Sequence, residues 1–192
     1  MQANQLILSF FLNLPAFLIA LVVHEYAHGF IAHKLGDDTA KKMGRLTMNP
    51  LAHIDFFGTI LLPLFLIVTS SPVVFGWAKP VPVNFYKLRN PKRDMIWVGI
   101  AGPVANFITA LFFFLVLKLQ LITSIGFFNF CVKVVLINLV LGLFNLIPIP
   151  PLDGSRILTG LLPLKLAKQY MRFERYGIIV LLILLYLLGK IF

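Results

Sequence analysis

The stretch Ala20-Leu21-Val22-Val23-His24-Glu25-Tyr26-Ala27-His28-Gly29-Phe30-Ile31-Ala32 lies within a long apolar run from Leu6 to Leu35. A run of that length reads as a membrane-spanning helix, yet it holds two imidazoles and a carboxylate. Residues four apart on a helix are neighbours, so His24 and His28 can aim at one ion. Glu25, turned about a third of a circle away, can reach a water held there. Ionisable groups at membrane depth are costly and mark function. The bland alternative is a polar patch satisfied by neighbouring helices.

The rest of the chain agrees with a membrane setting. It has 192 residues, net charge +10, 59% hydrophobic and 12% charged residues, and mean hydropathy +0.93. Soluble domains carry roughly 25% charged residues, so a soluble enzyme, a disordered tail and a secreted disulfide scaffold are all excluded. The single Cys131 cannot form an internal disulfide. A pI near 10.0 does not mean nucleic-acid binding, because the basic residues form no basic face on a polar domain. They sit between apolar runs, the positive-inside pattern of a multi-pass protein of the lipid bilayer. Met1-Gln2-Ala3-Asn4-Gln5 lacks a basic n-region, so the first run is expected to be retained rather than cleaved.

The expected architecture is one all-α polytopic domain over 1–192, with spans at about 6–35, 94–117, 127–147 and 172–192. The last run is short alone, so its helix is drawn back to Arg172, with Arg172 and Arg175 reaching for the interface. The apolar run 56–78 is broken by Pro63, Thr69-Ser70-Ser71 and Pro72. If it enters and leaves on one side, the basic segments 34–45, 79–93 and 156–175 all face the cytoplasm. They hold four, five and five of the 17 basic residues, leaving only Lys118, Lys133 and Lys190 elsewhere. The charge distribution therefore favours a re-entrant hairpin over a fifth span, since irregular backbone at depth is tolerated where it lines a cavity.

A catalytic Zn2+ takes three protein ligands and leaves one position open. With His24 and His28 as two, the third lies among His33, His53, Asp37, Asp38, Asp55, Asp94 and Asp153. His33 turns to the far side of the helix. Asp37 and Asp38 lie too close along the chain, and Asp94 reads as a first-turn residue of a span. Asp153 follows Asn145-Leu-Ile-Pro148-Ile-Pro150-Pro151-Leu152 and precedes Gly154, where prolines unwind a helix and glycine permits a sharp turn. It is the favoured third ligand. Asn49 to Asp55 is read as capping the hairpin, with His53 structural. Asn138, Gly142 and Asn145 share a helix face that should meet protein or cavity. Gly99 and Gly102 are read as helix packing, and Asn106 as either packing or a hydrogen bond near the site.

In these features the chain resembles the site-2 protease family of intramembrane zinc metalloproteases, in a compact form without PDZ or CBS domains. The resemblance rests on His24-Glu25-Tyr26-Ala27-His28, on Gly102-Pro103-Val-Ala-Asn106 and on Asn145 to Gly154. It implies that His24, His28 and Asp153 hold one Zn2+, that Glu25 is the general base, and that Asn145 holds the scissile carbonyl or its oxyanion. It also implies a three-helix core with its first and third helices parallel, a transmembrane protein substrate, and a cell-membrane site toward the cytoplasm. Ser155 stands where many members have a second glycine. The segment Gly44 to Asn49 is expected to offer an extended edge to an unwound substrate. The alternative reading is a non-enzymatic membrane metal-binding or transport protein that uses the same His/Asp site.

Overall fold

The fold was read from a computed structural model that describes residues 2–69, 71, 76–120 and 124–191. The expected breaks at Ser70 and Pro72 lie outside the described residues. Eight α-helices follow in order, and no strand occurs among the described residues: α1 Gln2–Lys34, α2 Thr39–Lys42, α3 Leu62–Val68, α4 Pro91–Lys118, α5 Ile125–Asn145, α6 Asp153–Leu161, α7 Leu164–Arg172 and α8 Glu174–Ile191. Three helices are long and apolar enough to cross a membrane: Ile7–Lys34, Pro91–Lys118 and Ile125–Asn145. Only about a quarter of each is buried, at 28%, 22% and 22%, so apolar side chains such as Ile108, Phe112, Val140 and Leu143 face outward. That is the surface of a membrane protein.

Each long helix turns a narrow stripe inward. In α1 the stripe is Ala16, Ala20, His24, His28 and Ala32, at four-residue spacing. In α4 it is Gly99, Gly102, Pro103, Asn106 and Ala110, and in α5 it is Cys131, Val134, Asn138 and Gly142. These residues are mostly small, so the backbones approach closely. α4 is the central helix: it packs on α1, α5 and α6.

α5 ends at Asn145, two residues before its expected limit, and Asp153 opens α6 rather than sitting in an extended loop. Gly154 is helical, not a sharp turn. A side chain there would collide with the carbonyls of Leu146 and Ile147, so glycine permits a close approach. The C-terminal helix also differs from expectation. The chain breaks at Phe173, which caps α7, and α8 starts at Glu174, two residues later than drawn. Arg156 on α6 pairs with Glu174, which holds the break in place.

The segment after α1 folds back on itself. Asp55 caps a π-helical turn, Phe56–Leu61, by accepting from Gly58 N, and α3 continues from it. The chain then returns to its entrance: Trp77 N donates to Gly58 O at 3.1 Å, Thr59 Oγ1 to Trp77 O at 2.8 Å and Lys79 N to His53 O at 2.9 Å. His53 is fully buried and its Nε2 meets Thr47 O at 2.8 Å, a structural role as expected. Asn49 caps a short 3-10 turn, Pro50–Ala52. Gly44 to Asn49 is not an extended edge: it runs through bends, with Gly44 at φ +65°. The stretch 76–84 is neither helix nor strand, with Asn84 at its end extended.

That stretch is fastened to the end of α1. Gly36, at φ +112°, terminates the helix in the left-handed conformation that favours glycine. Ala32, Leu88 and Val98 then form a small core with Val83 and Phe85 against it. Asp37, 1% exposed, accepts from Thr39 N at 3.0 Å, Thr39 Oγ1 at 2.5 Å and Asn84 N at 2.6 Å. Burial pushes its carboxyl up, but those donors and Lys87 outweigh burial and hold it below its ordinary value. The stabilisation is therefore present at pH above the ordinary value and is lost as pH falls through the lowered one. Asp37→Ala is expected to cost about 2 kcal/mol near neutrality, the scale of hydrogen bonds to a charged group. In micelles, the gap to wild type in chemical or thermal unfolding should close as the pH is taken into the acid range.

Candidate metal centre

His24 and His28 emerge from the inward stripe of α1 one turn apart, and their Nε2 atoms lie 3.0 Å from each other. Asp153 meets both from the first turn of α6, its Oδ2 at 3.0 Å from His24 Nε2 and 3.1 Å from His28 Nε2. Two helices 125 residues apart in sequence thus place three ligand atoms around one point. His24 and His28 are 6% and 8% exposed.

The outer nitrogens reveal what that point needs. His28 Nδ1 lies 2.7 Å from Val98 O, a pure acceptor, so Nδ1 carries the proton. His24 Nδ1 lies 2.7 Å from Asn106 Oδ1. Asn106 cannot be turned over, because its Nδ2 donates to Ala20 O and to Asn138 Oδ1, both at 2.9 Å. Asn138 is fixed in turn, its Nδ2 donating to Val134 O at 2.8 Å. His24 Nδ1 is therefore also a donor. In their neutral forms both Nε2 atoms present lone pairs toward each other and toward a carboxylate, with no proton between them. Such a convergence of acceptors in a buried place calls for a cation. Two imidazoles, each oriented by a hydrogen bond at its other nitrogen, plus one carboxylate is a donor set that suits Zn2+ and leaves a position open.

Space for the ion is provided by α4. A Cβ at Gly102 would come within 2.6 Å of His24 Cε1 and closer still to His28 Nε2. Gly102 is thus not only a packing glycine; its missing side chain makes room for the imidazoles. Gly99 performs the expected packing role, opposite Asp153 O and Ile157.

His24, Glu25, His28, Asn145 and Asp153 all line one cavity of about 320 Å³, with the segment from Pro80 to Phe85 along one side. Asn145 donates one N–H to Leu141 O at 3.0 Å; an amide has a second donor. Glu25 is half-buried, and its Oε2 accepts from Val81 N at 2.6 Å. The remaining candidate ligands are engaged elsewhere. His33 pairs with Asp38 at 2.6 Å, Asp37 and Asp55 cap turns, and Asp94 accepts from Asn90 N in the first turn of α4. Among the described residues, His24, His28 and Asp153 are the group of potential ligands close enough to share an ion.

Several participants were not legible as such. Val98 and Val81 act through backbone groups that carry no residue signature. Asn138 was placed on the right face, but its role in orienting Asn106 was not foreseen. Arg156 had been read as an orienting charge, yet it also lines the cavity.

Comparison with known proteins is consistent with this geometry. The model of a family described as "Peptidase family M50" matches residues 13–127 and 120–188. "Putative zinc metalloprotease YwhC" of Bacillus subtilis (strain 168) is 45% identical over 183 residues, spanning 89% of this chain and 80% of that protein. "Putative zinc metalloprotease Rip2" of Mycolicibacterium smegmatis is 27% identical over 188 residues, 92% of this chain and 67% of its own length. "Zinc metalloprotease MJ0392" of Methanocaldococcus jannaschii is 27% identical over 147 residues, 77% of this chain but only 33% of that protein. No solved structure matches the chain.

Removing an orienting partner of a metal-bound histidine typically costs 10–100-fold in metal affinity. Asn106→Ala, which leaves His24 Nδ1 without its acceptor, is expected to weaken Zn2+ binding by about that factor. Gly102→Ala should do at least as much by displacing both rings. Competition against a chelating dye, with helix content followed in parallel, measures both.

Proposed function

The chain belongs to peptidase family M50, and on that premise we propose that it is an intramembrane zinc endopeptidase that cuts peptide bonds in or beside transmembrane segments of membrane proteins. The observation that carries the proposal is the meeting of His24 Nε2, His28 Nε2 and Asp153 Oδ2 within 3.0–3.1 Å of one another, next to a carboxylate, Glu25, in one cavity. One Zn2+ per chain, held by those three residues, would supply Lewis-acid polarisation of a carbonyl and acidification of water.

The rest of the chemistry falls to the chain's own groups. Glu25 takes a proton from the attacking water and passes it to the leaving amine, the work of a general base that turns acid. Oε2 is held by Val81 N, so Oε1 is the oxygen available for proton transfer. Asn145, with its second N–H, holds the carbonyl oxygen as negative charge develops there. A helical substrate buries its carbonyls in its own hydrogen bonds, so it must unwind locally to enter. The outward apolar faces of α1, α4 and α5 sit in the lipid, and 56–78 forms a re-entrant hairpin. With the three basic segments at the cytoplasmic surface of the cell membrane, the site opens toward that side.

Reconstituted with a tagged single-span substrate, the zinc-loaded wild type is expected to cleave it. Glu25→Gln should retain Zn2+ while losing about 10²–10⁴-fold in rate, the share of general acid–base catalysis. Cleavage by the zinc-bound variant at the wild-type rate would remove Glu25 from the mechanism. Zinc flux into vesicles without proteolysis would favour the transport reading.

A further inference from the structure

The non-helical stretch 76–84 that follows the hairpin lies across the proposed base. Val81 N donates to Glu25 Oε2 at 2.6 Å, joining residues 56 apart in sequence. Glu25 is a long side chain on a helix, and this bond ties its carboxylate to a fixed backbone point. The donor is itself immobilised on both sides. Upstream, Lys79 N donates to His53 O at 2.9 Å, and Arg45 Nη2 donates to Lys79 O at 2.8 Å and to Pro80 O at 3.3 Å. Downstream, Asn84 N is bound by Asp37 Oδ2 at 2.6 Å. The Val81 side chain is 7% exposed and seated on Gly29, where a Cβ would come within 2.9 Å of its Cγ1. Pro80 and Pro82 on either side stiffen the backbone.

Arg45 is the cationic side chain that grips this segment, and its backbone is secured too, with N donating to Ala40 O at 2.8 Å. A guanidinium is a planar fork of donors, suited to gripping neighbouring acceptors at once. It grips the two carbonyls immediately before the amide that holds Glu25. Arg45 is not among the residues that line the cavity, and its side-chain bonds go to Lys79 and Pro80, so its contribution to catalysis would run through the strap.

We propose that Arg45 is a positioning residue for catalysis, fixing the Val81 N–H that orients the Glu25 carboxylate. The inference rests on the general-base role proposed above for Glu25. It separates Arg45 from residues that hold the ion, because it predicts an effect on turnover without an effect on Zn2+ binding or substrate affinity.

The test uses the full chain, zinc-loaded, with the same tagged single-span substrate. Arg45→Ala should lower kcat about tenfold or more, with KM within about twofold and one Zn2+ retained per chain. That is a loss of about 1.4 kcal/mol of transition-state stabilisation. Arg45→Lys should fall between the two, as a flexible ammonium replaces the planar Nη2 group that donates to both carbonyls. Hydrogen exchange of the peptide covering 79–83 should rise in Arg45→Ala and in Glu25→Ala, which removes the acceptor. As a second route, Val81→Pro deletes the N–H and should lose at least tenfold more turnover than Val81→Ala, which keeps it. The inference is overturned if the Arg45→Ala rate stays within twofold of wild type, if exchange at 79–83 is unchanged, or if activity falls only in step with lost Zn2+. A wild type that cleaves nothing, or a Glu25→Gln variant that cleaves normally, is a failure of the general-base reading and removes the inference along with it.

Discussion

Three lone pairs pointing at one buried place are the constraint on which this structure depends. Two imidazole nitrogens 3.0 Å apart with a carboxylate oxygen 3.0–3.1 Å from each would repel in the neutral-ring state unless a cation stands among them. Leaving such groups unpaired in a low-dielectric interior costs several kcal/mol. The fold therefore has to hold the rings in place by their other nitrogens, and it does so with fixed acceptors. Val98 O comes from the backbone of α4. Asn106 Oδ1 is locked by Ala20 and by Asn138, so α1, α4 and α5 are bonded to one another through a single chain of amides.

That chain of amides explains why the three helices carry small residues where they meet. The bonds from Asn106 to Ala20 O and Asn138 Oδ1 are each 2.9 Å, which requires backbones to come near enough for short side chains to reach. Ala16 and Ala20 on α1, Gly102 on α4 and Gly142 on α5 give that closeness; a Cβ at Gly142 would come within 2.8 Å of Phe107 Cε1. In lipid there is little hydrophobic force to draw helices together, so packing and buried hydrogen bonds must do it. The polar network that orients the ligands is thus also a large part of what assembles the helices. Function and stability draw on the same residues here, and the inward stripes are narrow because little else needs to be buried.

What could be read from the sequence follows from the same economy. Ionisable residues are so scarce in the apolar runs that His24, Glu25 and His28 stood out by type and spacing, and Asp153 by the proline-broken helix end that precedes it. The three long helices were legible because lipid demands unbroken apolar length. A fold-back after α1 was expected from charge, since that reading puts Lys79 to Arg93 on one side with Lys34 to Arg45; Lys79 N does return to His53 O. What stayed hidden was carried by groups without residue identity or by absent atoms. Val98 O and Val81 N belong to peptide bonds that every residue has. Gly102 acts through a missing methyl, which looks no different in sequence from a glycine used for packing. The break at Phe173 depends on Arg156 meeting Glu174 across 18 residues, a pairing that local pattern does not encode. The edge expected at Gly44 to Asn49 failed because its backbone groups are already spent, Gly44 N on Lys41 O, Arg45 N on Ala40 O and Thr47 O on His53 Nε2.

The hairpin has a consequence beyond topology. A helix of about 20 residues climbs roughly 30 Å, so a chain that left at 56 and ran straight would deliver residue 79 far from its start. Instead Lys79 N sits 2.9 Å from His53 O, and Gly58 lies so close to Trp77 that a side chain on it would overlap the indole. The turnaround closes its own mouth, and only a closed mouth brings Pro80 to Phe85 along the cavity that holds Glu25. The excursion between 56 and 78 and the position of the Glu25 carboxylate are therefore one structural problem. Disturbing Gly58, Thr59 or His53 should shift the strap even though none of them lines the cavity. The part of the chain least like a catalytic element in its hydropathy thus fixes where the Glu25 carboxylate points.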